Sequence, residues 1–190
     1  MNKNIKRLYA KLIILIIGII IILRIVFLVF AKYSSEATFQ SNINVAFYLF
    51  KEDYQSMSLN LASIFPQKDA YVFTFTIGNQ DKDKSAEIDL KYNLTLKATT
   101  NLPIKYELYM NQNYNDANAK NIITSDTTEK DDDGTYFKTM TVDTETLEFA
   151  NPKTNVYNLV INFPENYNTE NFQDIIEMIE IEVESKQWTE

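Results

Sequence analysis

Between residues 88 and 97 the chain alternates without a break: Ile88, Leu90, Tyr92, Leu94 and Leu96 fall on one side, Asp89, Lys91, Asn93, Thr95 and Lys97 on the other. A period of two places every second side chain on one face of a strand, whereas a helix would scatter the same residues around its axis. The pattern recurs at residues 43–49, 57–61, 71–77, 104–110, 136–142, 146–149, 156–163 and 179–183. In the last of these Glu180, Glu182 and Glu184 form an acidic, solvent-facing side. Pro66, Gly78-Asn79, Leu102-Pro103 and Pro164 punctuate the series. The charged tip Asp81-Lys82-Asp83-Lys84 reads as a turn that pairs residues 71–77 with residues 88–96 as a hairpin. Residues 111–134, rich in Asn, Asp and Lys, read as a polar surface insertion with at most a short strand at Ile122-Ile123; residues 169–178 read as a helical turn. Short strands between turn signals predict an all-β domain, an antiparallel sandwich or barrel.

A second feature divides the chain. Residues 12–31, LIILIIGIIIILRIVFLVFA, are apolar except for Arg24. As a helix rising about 1.5 Å per residue they match the roughly 30 Å hydrocarbon core of a bilayer. Lys3, Lys6, Arg7 and Lys11 precede the run with no acid among them, an asymmetry that keeps the N-terminus in the cytoplasm and sends the rest across the membrane. Residues 1–37 are therefore expected to be a signal peptide or signal-anchor, an N-terminal hydrophobic helix with a short linker. Cleavage after Ala31 or Ala37 and retention as an anchor are both compatible with the pattern. Residues 38–190 are then an exported domain at the cell surface or in the extracellular matrix. The leader holds six basic residues and one acid, +5; the remaining 12 basic and 25 acidic residues give the exported part −13.

Composition removes most chemistry. The chain has no Cys and no His, so it can build neither a disulfide framework, a thiolate or imidazole metal site, nor a catalytic triad. A domain at −13 repels the phosphate backbone, so nucleic acid is not an expected partner. Outside the leader the only glycines are Gly78 and Gly134, too few for a phosphate-binding loop. Asp131, Asp132 and Asp133 before Gly134 resemble the start of a calcium loop. Counting from Glu129, however, Met140 stands where a bidentate Glu is required, and strands flank the run. It reads as a turn, with those three aspartates the candidate calcium ligands. No cofactor is expected and no residue is nominated as catalytic.

The order of elements resembles a known group. A signal-like N-terminus followed by a strand, then YVFTFTIGNQDKDKSAEIDLKYNLTLKATTNLPIKYELY, then LVINFPENYNTENFQDIIEMIEIEVESKQ, is similar to the TasA and camelysin family of bacterial surface and biofilm-matrix proteins. The matching places are Asn79 at a strand end, residues 88–96, Leu102-Pro103 and residues 179–187. Arg24 within the leader and the insertion at 111–134 depart from that pattern. The resemblance implies a jelly-roll-like β-sandwich that self-associates into fibres by lending its N-terminal strand to a neighbour. Phe39, Ile43, Val45, Phe47 and Leu49 are the candidate anchors of that strand. Residues 43–49 also fit an ordinary first strand of their own sheet, which leaves residues 38–42 as the better donor. Proteolysis, associated with camelysin-type members, is not carried over, because a chain without His cannot build the usual zinc site. The expected function is a non-enzymatic structural protein of the cell surface or matrix. The alternative is a monomeric, membrane-anchored module that binds a protein or glycan.

Overall fold

A computed structural model describes Gly18 and residues 45–61, 64–130, 132, 134–167, 172 and 177–189. The chain divides into two compact units, Met1–Thr38 and Phe39–Glu190. In the first only Gly18 is described, and it is helical. The predicted apolar helix, the flanking Lys3, Lys6, Arg7 and Lys11, and the cleavage positions Ala31 and Ala37 otherwise lie outside the described residues. Among the described residues no helix is long and apolar enough to cross a membrane.

The second unit is all-β and sandwich-like. Its strands are β1 (Val45–Tyr48), β2 (Asp53–Asn60), β3 (Tyr71–Gly78), β4 (Gln80–Asp81), β5 (Lys84–Ser85), β6 (Leu90–Thr99), β7 (Lys105–Met110), β8 (Ile123–Lys130), β9 (Tyr136–Val142), β10 (Glu145–Leu147), β11 (Thr154–Asn162) and β12 (Met178–Gln187). A short 3-10 turn spans Glu165–Tyr167. One sheet has the order β1-β3-β11-β7; the larger runs β2-β12-β6-β9-β8, with β10 also paired to β6. The strands β4 and β5 form a separate small hairpin.

The inward residues follow from the alternation. Leu90, Tyr92, Leu94, Leu96 and Ala98 of β6, and Ile179, Ile181 and Val183 of β12, face Tyr71, Phe73, Phe75 and Ile77 of β3 and Tyr157, Leu159 and Ile161 of β11 in one buried cluster. Burying each large aliphatic or aromatic side chain of this kind contributes about 1.5–3 kcal/mol. Phe75 stacks on Tyr157 with ring centroids 5.1 Å apart, and Phe47 meets Phe75 edge-on at 6.1 Å. On the opposite side of the larger sheet Glu182 pairs with Lys97 at 2.6 Å, so the acidic side of β12 is partly neutralised by its neighbour β6.

Three expectations change. Residues 71–77 and 88–96 are not a hairpin: β3 pairs with β1 and β11, whereas β6 pairs with β12, β9 and β10 in the opposite sheet. Two strands with one strongly apolar face each can meet side by side or face to face. The connection carrying β4 and β5 is long enough to cross between sheets, and crossing buries both faces. Second, the polar stretch 111–134 is not all insertion, because Ile123–Lys130 is an eight-residue edge strand paired with β9. Almost every residue of it is exposed, so no apolar alternation marks it; the backbone pairing to β9 and its Thr and Ile content do the work that burial does elsewhere. Third, the sheets are not wholly antiparallel, since β1 runs parallel to β3, Phe47 opposite Ile77. After Leu49 the chain passes through β2 in the larger sheet and returns as β3, which brings it back in the original direction.

Gly78 closes β3 where three strands meet. A Cβ there would sit 2.6 Å from Thr154 Oγ1 and 3.1 Å from the Lys153 carbonyl oxygen, neither of which is the free end of a flexible chain. Gly78→Val is expected to lower stability by about 1–3 kcal/mol through overpacking. A urea midpoint equal to that of the parent chain would contradict it.

Candidate functional site: buried polar clamps, open edges and a mixed cleft

The residues singled out in the sequence separate in space. Val45, Phe47 and Leu49 belong to or directly follow β1 and pack into their own sandwich; Phe47 and Leu49 are buried, and the Leu49 amide donates to the Gly78 carbonyl at 2.9 Å. Phe39 and Ile43 lie outside the described residues. Of the calcium candidates only Asp132 is described, exposed in a turn, while Asp131 and Asp133 lie outside. Among the described residues no three acidic side chains converge to hold a metal ion.

The buried polar groups form three clamps. Asn155 donates from Nδ2 to the Tyr92 hydroxyl at 2.7 Å, and the Tyr92 and Tyr157 hydroxyls share a hydrogen bond of 2.7 Å, joining the two sheets across the core. The clamp reaches the surface through Asn111, which donates to Asn155 Oδ1 and accepts from the Val156 amide. Asn111 has φ 54°, the left-handed region that its short polar side chain tolerates. Burial pushes both Tyr92 and Tyr157 upward, so neither is a base near neutral pH.

The second clamp is Asn79, fully buried, which donates to the Glu148 carbonyl at 2.9 Å and accepts from the Lys153 amide at 2.9 Å, fastening the arch after β3 to the segment before β11. The third is Glu177. Its Oε2 accepts from the amides of Asn101 and Leu102, each at 3.1 Å, and its Oε1 accepts from the Tyr106 hydroxyl at 3.2 Å. Removal from water raises its pKa, and these donors pull it partly back. All three satisfy backbone groups that turns leave open. None pairs a nucleophile with a base.

Two concavities lie among the described residues' surfaces with polar groups in their walls. An open one of about 660 Å³ lies where the loop of Asn111, Gln112, Asn113 and Tyr114 meets Val72, Val156 and Asn158 of β3 and β11. A smaller, more enclosed one of about 200 Å³ lies where β7 of one sheet approaches β8–β10 of the other, between Met110, Ile122 and Val142 and the acids Asp143 and Glu145. Sequence reasoning passed over Glu177, whose place beside a strand carries no pattern. It also passed over Asn155 and Glu145, which lie one residue before the alternating runs 156–163 and 146–149 and which only the strand bounds place on inward steps. Comparison with protein-family models, with curated proteins and with solved structures finds no match for this chain.

Proposed function

We propose that the protein is a non-enzymatic structural subunit of the cell surface or extracellular matrix, exported by its leader and assembled through its strand edges. The observation that carries this reading is β1. It is a four-residue parallel strand at the edge of its sheet, paired among the described residues with β3 alone, yet it is followed by Leu49 in the core and contributes Phe47 to it. A short strand with little pairing and two deep anchors, at the start of its domain, is suited to exchange between copies, because a neighbour's strand would satisfy the same backbone groups and pockets. Apart from the hairpin β4-β5 and the run β8-β9-β10 within the larger sheet, successive strands alternate between the sheets, and the order β2-β12-β6-β9 with β3-β11-β7 supports a sandwich of the jelly-roll kind. That arrangement agrees with the TasA and camelysin resemblance.

The exported form is expected to make ordered fibres, seen by negative-stain electron microscopy after removal of the leader. Persistent monomers across salt and pH would overturn the proposal. The second reading, a membrane-anchored monomer that binds a partner, is favoured by the open concavity on the outer side of β3 and β11. Retention of Met1 in the mature mass together with a monodisperse species in sedimentation would select it.

A further inference from the structure

Of the strands at the margins of the two sheets, β2 is the least guarded. It is eight residues long and pairs along its whole length with β12, from Asp53 opposite Ser185 to Asn60 opposite Met178. On its other side no strand lies beside it among the described residues. Open strand edges are ordinarily blunted by charge, Pro, a bulge, shortness or a covering segment. The β8 edge carries Asp126, Glu129 and Lys130, an ion pair between Asp126 and Lys138, and an irregular register between Ile123 and Ser125. The β7 edge is covered in part by Asn121 and Ile122, and β1 is only four residues long. From Tyr54 to Asn60 the sequence YQSMSLN has no charge, no Pro and no Gly, within an exported part at −13. Most of such a surface repels a second copy of itself; this edge does not.

The register fixes which groups the edge offers. The Leu61 amide bonds the Glu177 carbonyl at 2.9 Å, and hydrogen-bonded pairs of an antiparallel ladder recur at every second residue. Leu59, Met57 and Gln55 therefore bond β12, while the amides and carbonyls of Ser56 and Ser58 point away from it. Both serines are exposed, and among the described residues nothing bonds those backbone groups. The Tyr54 amide, which points the same way, is already taken by Asp53 Oδ1 at 3.0 Å. Let a second copy of β2 lie antiparallel with Met57 opposite Met57. Each Ser56 then meets Ser58 of the other chain, and each such pair exchanges both backbone hydrogen bonds. Directly opposed residues share a face, so Gln55 meets Leu59 beside the paired methionines and no charge stands opposite a charge. We propose that β2 is a self-association edge on which a second copy of this chain docks antiparallel about Met57, joining the two larger sheets into one across a two-fold axis. The proposal rests on the reading that the protein assembles through its strand edges, and it gives that assembly a contact separate from β1.

The chain has no Cys, so a single introduced thiol reports only its own neighbour across the contact. At a non-hydrogen-bonded antiparallel pair the Cα atoms lie about 4.5 Å apart, within the span of a disulfide, which closes at most about 7 Å. Met57 would face its own copy at that distance, whereas Ser56, opposite Ser58, would stand out of reach of the other Ser56. On oxidation of the full chain in detergent micelles with copper phenanthroline, Met57→Cys is expected to form a disulfide-linked dimer about tenfold faster than Ser56→Cys or Thr127→Cys, the last on the β8 edge. Equal rates in the three would overturn the proposal. A mixture of Met57→Cys and Thr127→Cys that links faster than Met57→Cys alone would assign the β8 edge as the occupant, and overturn it as well. Ser58→Pro removes an amide donor that β12 does not use, a place where an edge strand tolerates Pro. Added to Met57→Cys, it is expected to slow the linkage by about tenfold while the urea midpoint stays near that of the parent; an unchanged rate in the folded variant would contradict the pairing. The cysteine comparison decides the matter even if the Pro variant fails to fold. Fibres seen without the Met57→Cys linkage would overturn β2 pairing and leave strand exchange at β1 standing. Linkage in a chain that makes no fibres would support β2 pairing and remove the fibre reading alone.

Discussion

Replacing Glu177 by Ala is expected to destabilise the protein by about 3–5 kcal/mol, a large part of the roughly 5–15 kcal/mol that holds a domain together. Four donors converge on this carboxylate, the amides of Asn101 and Leu102 and the hydroxyls of Tyr106 and Thr99, and the Leu61 amide bonds its backbone carbonyl at 2.9 Å. The side chain is fully buried, so truncation leaves the donors in a dry cavity, where each unsatisfied group costs about 1–3 kcal/mol. Glu177→Gln keeps one carbonyl oxygen for the two amides and is expected to lose far less. The two variants also separate by pH. Burial holds the Glu177 carboxyl above its unfolded value of 4.5. A carboxyl raised on folding binds its proton more tightly in the native state, so its contribution is fully present below the unfolded pKa and is lost as pH rises through the folded one. Urea midpoints of the parent chain, relative to the Gln variant, should therefore fall as pH rises through the window starting near 4.5. A constant difference between the two would refute the assignment of that slope to Glu177.

That result bears on how such a chain is read. Ile88 through Leu96 announce a half-buried strand because water on one side and core on the other act on every second residue, and β6, β3, β11 and β12 were legible for that reason. Partnership was not legible. Period two says which face is buried but not what it is buried against, and the mistaken hairpin of β3 with β6 is the consequence. The β8 strand escaped because it has no buried face for a pattern to record. At the sites the limit is different. Asn155 and Glu145 stand one residue before the alternating runs 156–163 and 146–149, so no apolar pattern frames them. Only the fold shows that Asn155 is answered by Tyr92 and Asn111, and that Glu145 lines a cleft with Met110, Ile122 and Val142. Glu177 breaks no pattern, since its partners are amides of a turn more than seventy residues earlier in the chain.

The second large effect is expected at β1. Phe47→Ala with Leu49→Ala removes two buried anchors, and truncations of this kind cost about 2–5 kcal/mol each, enough in combination to exhaust most of a domain's stability. The informative step follows the loss. If the pocket beside β3 accepts a strand from another chain, a synthetic peptide spanning residues 39–50 should raise the thermal midpoint of the double variant. The rise should grow with the logarithm of peptide concentration once binding saturates, as for any ligand of the native state. The same peptide carrying both alanines should give no rise. Strand lending requires that β1 be separable from its domain without loss of the groove it fills, and the parallel pairing of Val45 to Tyr48 with Phe75 to Gly78 supplies the register in which a borrowed strand would lie. Absence of rescue at millimolar peptide would show that β1 folds only as part of its own chain. Assembly would then have to use other edges, of which β2, β7 and β8 are the longer ones among the described residues. Of these, β7 is already partly covered, since the Ile122 amide bonds the Leu108 carbonyl and Leu108 donates to Asn121. The choice would fall to β2 and β8, so that a fibre formed without strand exchange would grow by extending the larger sheet.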